Sequence, residues 1–167
     1  MNPFGSHFFI YTDIGAWRGD RFNNWPNRKF TREIHARLRN RMLFGQISTT
    51  GKYNPNHKEL IYKYEHRQFI EGTFFAGSHQ AIERFYNVFF DLHDKRLSAK
   101  MFVGKDQHLM SLYTLIHPER VVRLQTENHL CQCDTVTNPW FFYQIFFSNQ
   151  YSCHVDRFSI LNDTIPL

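Results

Sequence analysis

Near its N-terminus the chain carries an apolar run that stops abruptly at an acidic residue. Phe8–Thr12 is followed directly by Asp13, and Gly15 comes two residues later. An apolar run without polar alternation is typical of a strand buried on both faces of a sheet. In open α/β sheets, ligands bind at the edge where such strands end. The run therefore predicts a central strand that delivers a carboxylate to a ligand-binding edge.

A second apolar stretch in the middle of the chain leads into two helices. A strand is predicted over 68–75, with Gly72 and Gly77 flanking its aromatic residues. Ser78 then opens a helix over 78–97, and Asp106 opens another that stops before Pro118. The residues predicted to face inward are Ala81, Ile82, Phe85, Tyr86, Val88, Phe89 and Leu92, then Leu109, Leu112, Tyr113 and Ile116. This order predicts an α/β fold, a mixed sheet flanked by helices, with both strands central.

The remaining segments give weaker patterns. Thr31 is predicted to cap a helix over 32–43 with Ile34, Leu38 and Met42 on one face, between loops over 15–29 and 45–56. A short strand is predicted over 121–124, and the aromatic stretch 140–147 fits either a helix or a strand. Residues 1–147 are expected to form one domain, and 148–167 a weakly structured tail.

Charge and hydropathy narrow the class of protein. The 167 residues have a net charge of +5, and much of the basic excess lies between positions 18 and 41. Such a region can bind the phosphates of nucleic acid or of a sugar nucleotide, although a solvated basic helix is the simpler interpretation. No apolar run reaches the roughly 18–20 residues that span a bilayer, and no signal-peptide pattern opens the chain. The chain as it stands is expected in the cytoplasm, or in the Golgi and secretory pathway if an N-terminal part is missing.

Three cysteines make a disulfide framework a poor explanation, because their number is odd. His129, Cys131 and Cys133, with Cys153 and His154 later, are residue types that bind zinc. Their spacing lacks the paired C-x₂-C of structural zinc sites, so ordinary thiols are the better interpretation.

Asp13 and the two glycines are the first candidate site residues, and each has a structural alternative. A carboxylate at a strand end can bind a divalent metal on a diphosphate, but an Asp before Gly15 also suits a turn. Gly72 and Gly77 allow a ligand to approach the backbone, and the helix start at Ser78 offers free N–H groups. A plain strand-to-helix turn explains the same residues.

Asp106 and Gln107 form the second candidate pair. Asp accepts hydrogen bonds and Gln both donates and accepts them, which suits sugar hydroxyls. Asp106 can also serve as a general base toward an acceptor hydroxyl, or simply stabilise the helix start. The chain has no G-x-S-x-G, P-loop or G-x-G-x-x-G motif.

Four of these segments together resemble a known family. They occur in the order Asn2-Pro3-Phe4, Tyr11-Thr12-Asp13-Ile14-Gly15, Gly72-Thr73-Phe74-Phe75-Ala76-Gly77-Ser78 and Asp106-Gln107. The ordered set resembles the HtrL/YibB-like (WlaTC-like) family of glycosyltransferases, and its spacing is compatible through about Phe147. That family carries Asn-Pro-Phe, an aromatic strand ending in Asp-x-Gly, a Gly-rich aromatic stretch before a helix, and a later Asp-Gln.

The resemblance implies a GT-A-like fold that transfers a sugar from a nucleotide-sugar donor to a hydroxyl of a glycan or another acceptor, with Mn²⁺ or Mg²⁺. The positions carried over are Asp13 for the metal, Gly72, Phe75, Gly77 and Ser78 for the substrate, and Asp106 and Gln107 for catalysis. Many metal-dependent GT-A enzymes have Asp-x-Asp where this chain has Asp13-Ile14-Gly15. Their nucleotide-binding strands also precede the metal strand, so the resemblance implies an incomplete fold that lacks its N-terminal half and binds sugar nucleotides weakly or not at all.

Two other functions compete with sugar transfer. One is a non-catalytic module whose aromatic rings stack on a sugar or on bases, and the other is a basic protein that binds single-stranded nucleic acid. Nucleic acid is disfavoured because the aromatic residues occupy buried-looking positions and do not alternate with basic ones. Sugar transfer predicts that Asp13 and Asp106 face one cleft, with Gly77 and Ser78 on its wall.

Overall fold

Strand β2, Met42–Gln46, is the most deeply buried element, and all five of its residues are buried. The computed structural model of the chain describes residues 2–17, 25–48, 69–125 and 139–148. In it, β2 lies between β3, Ile70–Ser78, and β4, Val121–Gln125, while β1, Phe8–Thr12, pairs with the other side of β3.

The sheet is mixed, with the order β1-β3-β2-β4. Strand β3 is antiparallel to β1 and to β2, whereas β2 and β4 are parallel. Strands β1, β2 and β4 therefore run in one direction, and their carboxyl ends meet at one edge of the sheet. We call this the carboxyl edge, and β3 begins there.

Helices cover both faces of the sheet, which confirms the predicted α/β class. Their bounds are Arg28–Leu38 for α1, His79–Ser98 for α2, Asp106–Ile116 for α3 and Phe142–Ser148 for α4. Helices α2 and α3 pack on one face in a core around Phe44, Phe85 and Tyr113. Helices α1 and α4 pack on the other face in a core around Phe74 and Tyr143.

The prediction that β1 is central is wrong. Among the described strands it pairs only with β3 and forms the end of the sheet, and Tyr11 is 46% exposed. Its run is apolar because Phe8 and Ile10 pack against one core while Tyr11 stacks on Phe75 on the other face. Strand β3 is central as predicted, but it extends to Ser78 and contains both glycines that the sequence suggested for a turn.

The predicted helix over 32–43 is displaced. Helix α1 begins four residues earlier, where Oδ1 of Asn27 accepts a hydrogen bond from the Phe30 N–H at 3.1 Å. It stops at Leu38 because Arg39 and Asn40 both adopt left-handed backbone angles, with φ of 46° and 66°. Met42 therefore belongs to β2 and not to a helix. A three-residue apolar run such as 42–44 has too little periodicity to distinguish a strand from a helix.

Helices α2 and α3 confirm their predictions closely. Oγ of Ser78 caps α2 by accepting a hydrogen bond from the Ala81 N–H at 3.2 Å. All four inward positions predicted for α3 are buried. In α2, Tyr86 is 57% exposed where the sequence predicted an inward ring, and Arg96 is buried without a sequence signal.

The stretch that the sequence left undecided forms a 3₁₀ turn, Pro139–Phe141, and then α4. Helix α4 includes Ser148, which the sequence assigned to the tail and which is buried. The predicted loop over 45–56 is wrong at positions 45 and 46, which belong to β2, and its residues 49–56 lie outside the described residues. Residues 149–167 and the cysteines with their neighbouring histidines also lie outside them. No helix in the described part of the chain is long and apolar enough to cross a membrane.

We expect Phe85→Ala to lower the free energy of unfolding by about 3 kcal/mol. The Phe85 ring is 6% exposed and lies 4.9 Å from the Tyr113 ring and 5.4 Å from the Phe44 ring, measured between centroids. The loss is at the low end for a buried phenylalanine because the cavity would open toward solvent on one side. Urea unfolding measures the change, and Phe4→Leu, at an 81% exposed ring, is the control. An unchanged denaturation midpoint for Phe85→Ala would contradict this packing.

Candidate functional site

Asp13 lies at the carboxyl edge, where the sequence predicted it. Its backbone N–H donates to the Thr73 carbonyl at 2.9 Å, which extends the β1–β3 pairing by one residue. Its Oδ1 accepts a hydrogen bond from the Gly15 N–H at 2.8 Å and so caps a short 3₁₀ turn, Ile14–Ala16. The side chain is exposed, and among the described residues Oδ2 accepts no hydrogen bond. The carboxylate therefore stabilises a turn and keeps one oxygen for a ligand.

Helix α4, together with Trp17, holds the residues around this turn in place through hydrogen bonds. The Tyr143 hydroxyl is hydrogen-bonded to Oγ1 of Thr12 at 2.8 Å, and Nε1 of Trp17 donates to the same oxygen at 3.2 Å. Nε2 of Gln144 donates to the Ala16 carbonyl at 3.1 Å. Sequence reasoning missed Tyr143 and Gln144 because their contacts join positions more than a hundred residues apart, and aromatic density around 140–147 was the only signal.

Gly72 brings the second candidate pair to the same place. A Cβ at Gly72 would lie 2.6 Å from Cγ of Gln107 and 3.5 Å from Oδ1 of Asp106, so only glycine lets the start of α3 lie on β3 this closely. Oδ1 of Asp106 accepts a hydrogen bond from the Gln107 N–H at 2.8 Å. Asp106 contacts β3 at Gly72 and Asp13 contacts it at Thr73, so both acids lie beside adjacent residues of one strand.

Gly77 and Ser78 lie at the opposite end of β3. Ser78 pairs with Phe8, the first residue of β1, whereas Gly72 lies six residues away, or about 20 Å along an extended strand. A Cβ at Gly77 would lie 2.9 Å from Sδ of Met42, so this glycine serves packing beneath α2. Ser78 caps α2 and is hydrogen-bonded to the side-chain amide of Asn40. The prediction that these two residues wall a cleft with Asp13 and Asp106 is therefore wrong.

Glu71 is a residue of this edge that sequence reasoning did not single out. It is only 1% exposed, and Oγ1 of Thr73 donates to its Oε2 at 2.9 Å. Its Oε1 is buried and has no hydrogen-bond partner among the described residues. Burial raises the pKa of this carboxyl from 4.5 to about 8, and the Thr73 hydrogen bond lowers it only in part. Glu71 is therefore mainly protonated at pH 7, and an acid inside an apolar strand was the signal that could have found it.

A groove of about 260 Å³ adjoins the edge on the α2–α3 face. Six aromatic side chains line it, and we call it the aromatic groove: Tyr11, Phe75, Phe85, Tyr86, Phe89 and Phe90. Ile82, Met110 and Asp106 complete the lining. The groove thus includes the candidate substrate residue Phe75 and the candidate catalytic residue Asp106, but Asp13 does not line it.

The described residues do not by themselves form a site for a divalent cation. Such a cation takes about six or more oxygen ligands, whereas Asp13 contributes one oxygen beyond its bond to Gly15. Within the described ranges, no group of three or more His, Cys, Asp or Glu residues could hold a metal ion. A cation at Asp13 would depend on oxygen ligands from a bound diphosphate.

No family model, curated protein or solved structure matches this chain. Membership of the HtrL/YibB-like family and the GT-A-like character of the sheet both stay predictions. Function is therefore inferred from the residues at the carboxyl edge and in the aromatic groove.

Proposed function

We propose that the chain is a glycosyltransferase-like domain that binds a nucleotide sugar at its carboxyl edge and transfers the sugar to an acceptor hydroxyl. One observation supports this most directly. Asp13 and the Asp106–Gln107 pair meet β3 at neighbouring residues, Thr73 and Gly72. This edge, where β1, β2 and β4 end, is where open α/β sheets bind their ligands.

In this proposal each side chain has the role that its chemistry allows. Asp106 is an exposed carboxylate that can accept the proton of an acceptor hydroxyl as the sugar is transferred. Gln107 lies beside Asp106, and its Nε2 is buried without a hydrogen-bond partner among the described residues, so its amide reaches a ligand only when the side chain turns outward. The exposed oxygen of Asp13 binds the donor, through a ribose hydroxyl or through a Mn²⁺ or Mg²⁺ ion held by the diphosphate. Phe75 presents a ring from the groove beside Asp106.

Binding without transfer is the second candidate function, with a carbohydrate or nucleic acid as the ligand. The hydrogen bond from the Gly15 N–H to Oδ1 of Asp13 favours it, because this bond explains the carboxylate as a cap of the turn without any role in sugar transfer. A module of this kind would use Asp106 and Gln107 to bind hydroxyls and would release its ligand unchanged.

Calorimetric titration with UDP- and GDP-sugars, with and without Mn²⁺, tests the proposal on the full chain. We expect a Kd of about 1 mM, because two carboxylates and one amide give few polar contacts. Asp13→Asn and Asp106→Asn should each weaken binding about tenfold. Asp91→Asn is the matched control, because Asp91 is an exposed acid of α2 that is paired with Lys95 at 2.7 Å.

Product analysis then separates the two functions. Release of the nucleoside diphosphate with an acceptor present, lost in Asp106→Asn, supports transfer. Binding that leaves the donor intact supports the binding module. Absence of donor binding at 10 times the expected Kd would refute the transfer proposal, and unchanged binding in both Asn variants would refute the site assignment.

A further inference from the structure

The aromatic groove has the composition of a binding site in its own right. Three of its rings are strongly exposed, with Tyr11 at 46%, Tyr86 at 57% and Phe90 at 45%. Exposed aromatic side chains that gather in one concavity mark interaction sites more often than single exposed residues do. A concavity of about 260 Å³ fits a small ligand or one side chain of a partner.

The rings of the groove form a continuous wall. Tyr11 stacks on Phe75 at 4.7 Å between ring centroids, and Phe75 lies 5.8 Å from Phe85. Along α2, Tyr86 and Phe90 lie 4.7 Å apart, one helical turn from each other. A ligand in the groove would therefore contact ring surfaces on several sides.

Among the described residues, Asp106 is the only charged one in this lining. Three basic side chains of α2 already have partners: Arg84 donates to the Asn40 carbonyl, Lys95 is paired with Asp91, and His93, whose ring lies 6.2 Å from that of Phe90, is hydrogen-bonded to Asp94. An anion would be repelled by Asp106. A sugar would find only this carboxylate and the hydroxyls of two tyrosines, which is too few partners for its hydroxyl groups.

An organic cation fits this combination of rings and charge. Aromatic faces attract a quaternary ammonium group through their negative π-electron density, and a nearby carboxylate adds direct charge attraction. Methyl groups on nitrogen spread the charge over an apolar surface that matches the rings, so little hydration is lost on binding. We propose that the aromatic groove binds a methylated ammonium group, with Asp106 as its counter-ion.

This site goes beyond the proposed sugar transfer, with which it shares Asp106 of the catalytic pair and the ring of Phe75. Choline and its uncharged isostere 3,3-dimethylbutan-1-ol are the probes, and protein NMR titration of the full chain follows the groove resonances. We expect choline to bind about tenfold more tightly than the isostere, because only choline has the cation. Asp106→Asn and Phe90→Leu should each weaken choline binding about tenfold, whereas Phe4→Leu, outside the groove, should not change it.

Asp13→Asn distinguishes this site from the donor site. It should leave choline binding unchanged while it weakens nucleotide-sugar binding, and Phe90→Leu should do the reverse. Equal affinity for choline and its isostere would overturn the proposal and leave an ordinary apolar groove. Binding of methyl glucoside in the groove, or of neither probe, would overturn it as well.

Discussion

Gly45→Ala is expected to lower the free energy of unfolding by about 4 kcal/mol, above the usual range for overpacking. A Cβ at this position would lie 1.7 Å from Oε1 of Glu71 and 2.4 Å from its Cδ. Gly45 has no positive φ angle, so alanine causes no backbone strain there and the cost comes from steric overlap. Cγ of Glu71 would also lie 2.7 Å from this Cβ, so the whole side chain and not only its carboxyl end has to shift inside a buried site.

A double-mutant cycle isolates this clash. Gly45→Ala in a Glu71→Ala background should cost less than about 1 kcal/mol, because the atoms that the new methyl meets are gone. In a Glu71→Gln background it should cost as much as in the native chain, since Gln has the same shape. Urea unfolding measures each variant through the denaturation midpoint. An equal cost in all three backgrounds would show that Glu71 does not occupy the space beside Gly45.

Local patterns predicted the elements whose signals are complete within a short window. Helix α2 has a serine cap and a wide apolar face, and α3 has an acid at its start and a proline beyond its end. Both follow from the sequence because helix periodicity and capping are local properties. Strand β2 was missed because its burial comes from β3 and β4, which are distant in the chain.

In the candidate site, too, some residues follow from local sequence signals and others depend on the tertiary structure. Asp13 and Asp106 were found because each marks the end or beginning of an element, and Gly72 because a glycine interrupts an apolar strand. Ser78 was placed wrongly because β3 is antiparallel to its neighbours, so its end and the helix start that follows lie at the opposite edge. The sequence shows Glu71 as an acid inside an apolar strand, but its contact with Gly45 of another strand follows only from the tertiary structure.

Stability should fall as the pH rises from 4.5 to 8, and Glu71 should cause most of the fall. Burial raises the pKa of Glu71 from 4.5 in the unfolded chain to about 8 in the folded protein. Between these values the folded state holds a proton that the unfolded state releases. Each unit rise in pH therefore lowers the free energy of unfolding by about 1.4 kcal/mol. The total loss approaches about 5 kcal/mol; it is absent below pH 4.5 and complete above pH 8.

Glu71→Gln should remove this pH dependence, because a neutral amide of the same shape keeps a hydrogen-bond acceptor for the Thr73 hydroxyl. Urea unfolding of both proteins at pH 5 and pH 8.5 measures the difference, and the variant should be the more stable one at the higher pH. Glu83→Gln, at an exposed glutamate of α2, controls for the loss of a negative charge alone. Parallel curves for the native protein and Glu71→Gln would mean that Glu71 titrates alike in the folded and unfolded states. If stability falls with rising pH in the native protein but not in Glu71→Gln, an uncharged carboxyl lies beside the proposed donor site. Ionisation of that carboxyl would then disturb the β3 backbone that Asp13 contacts.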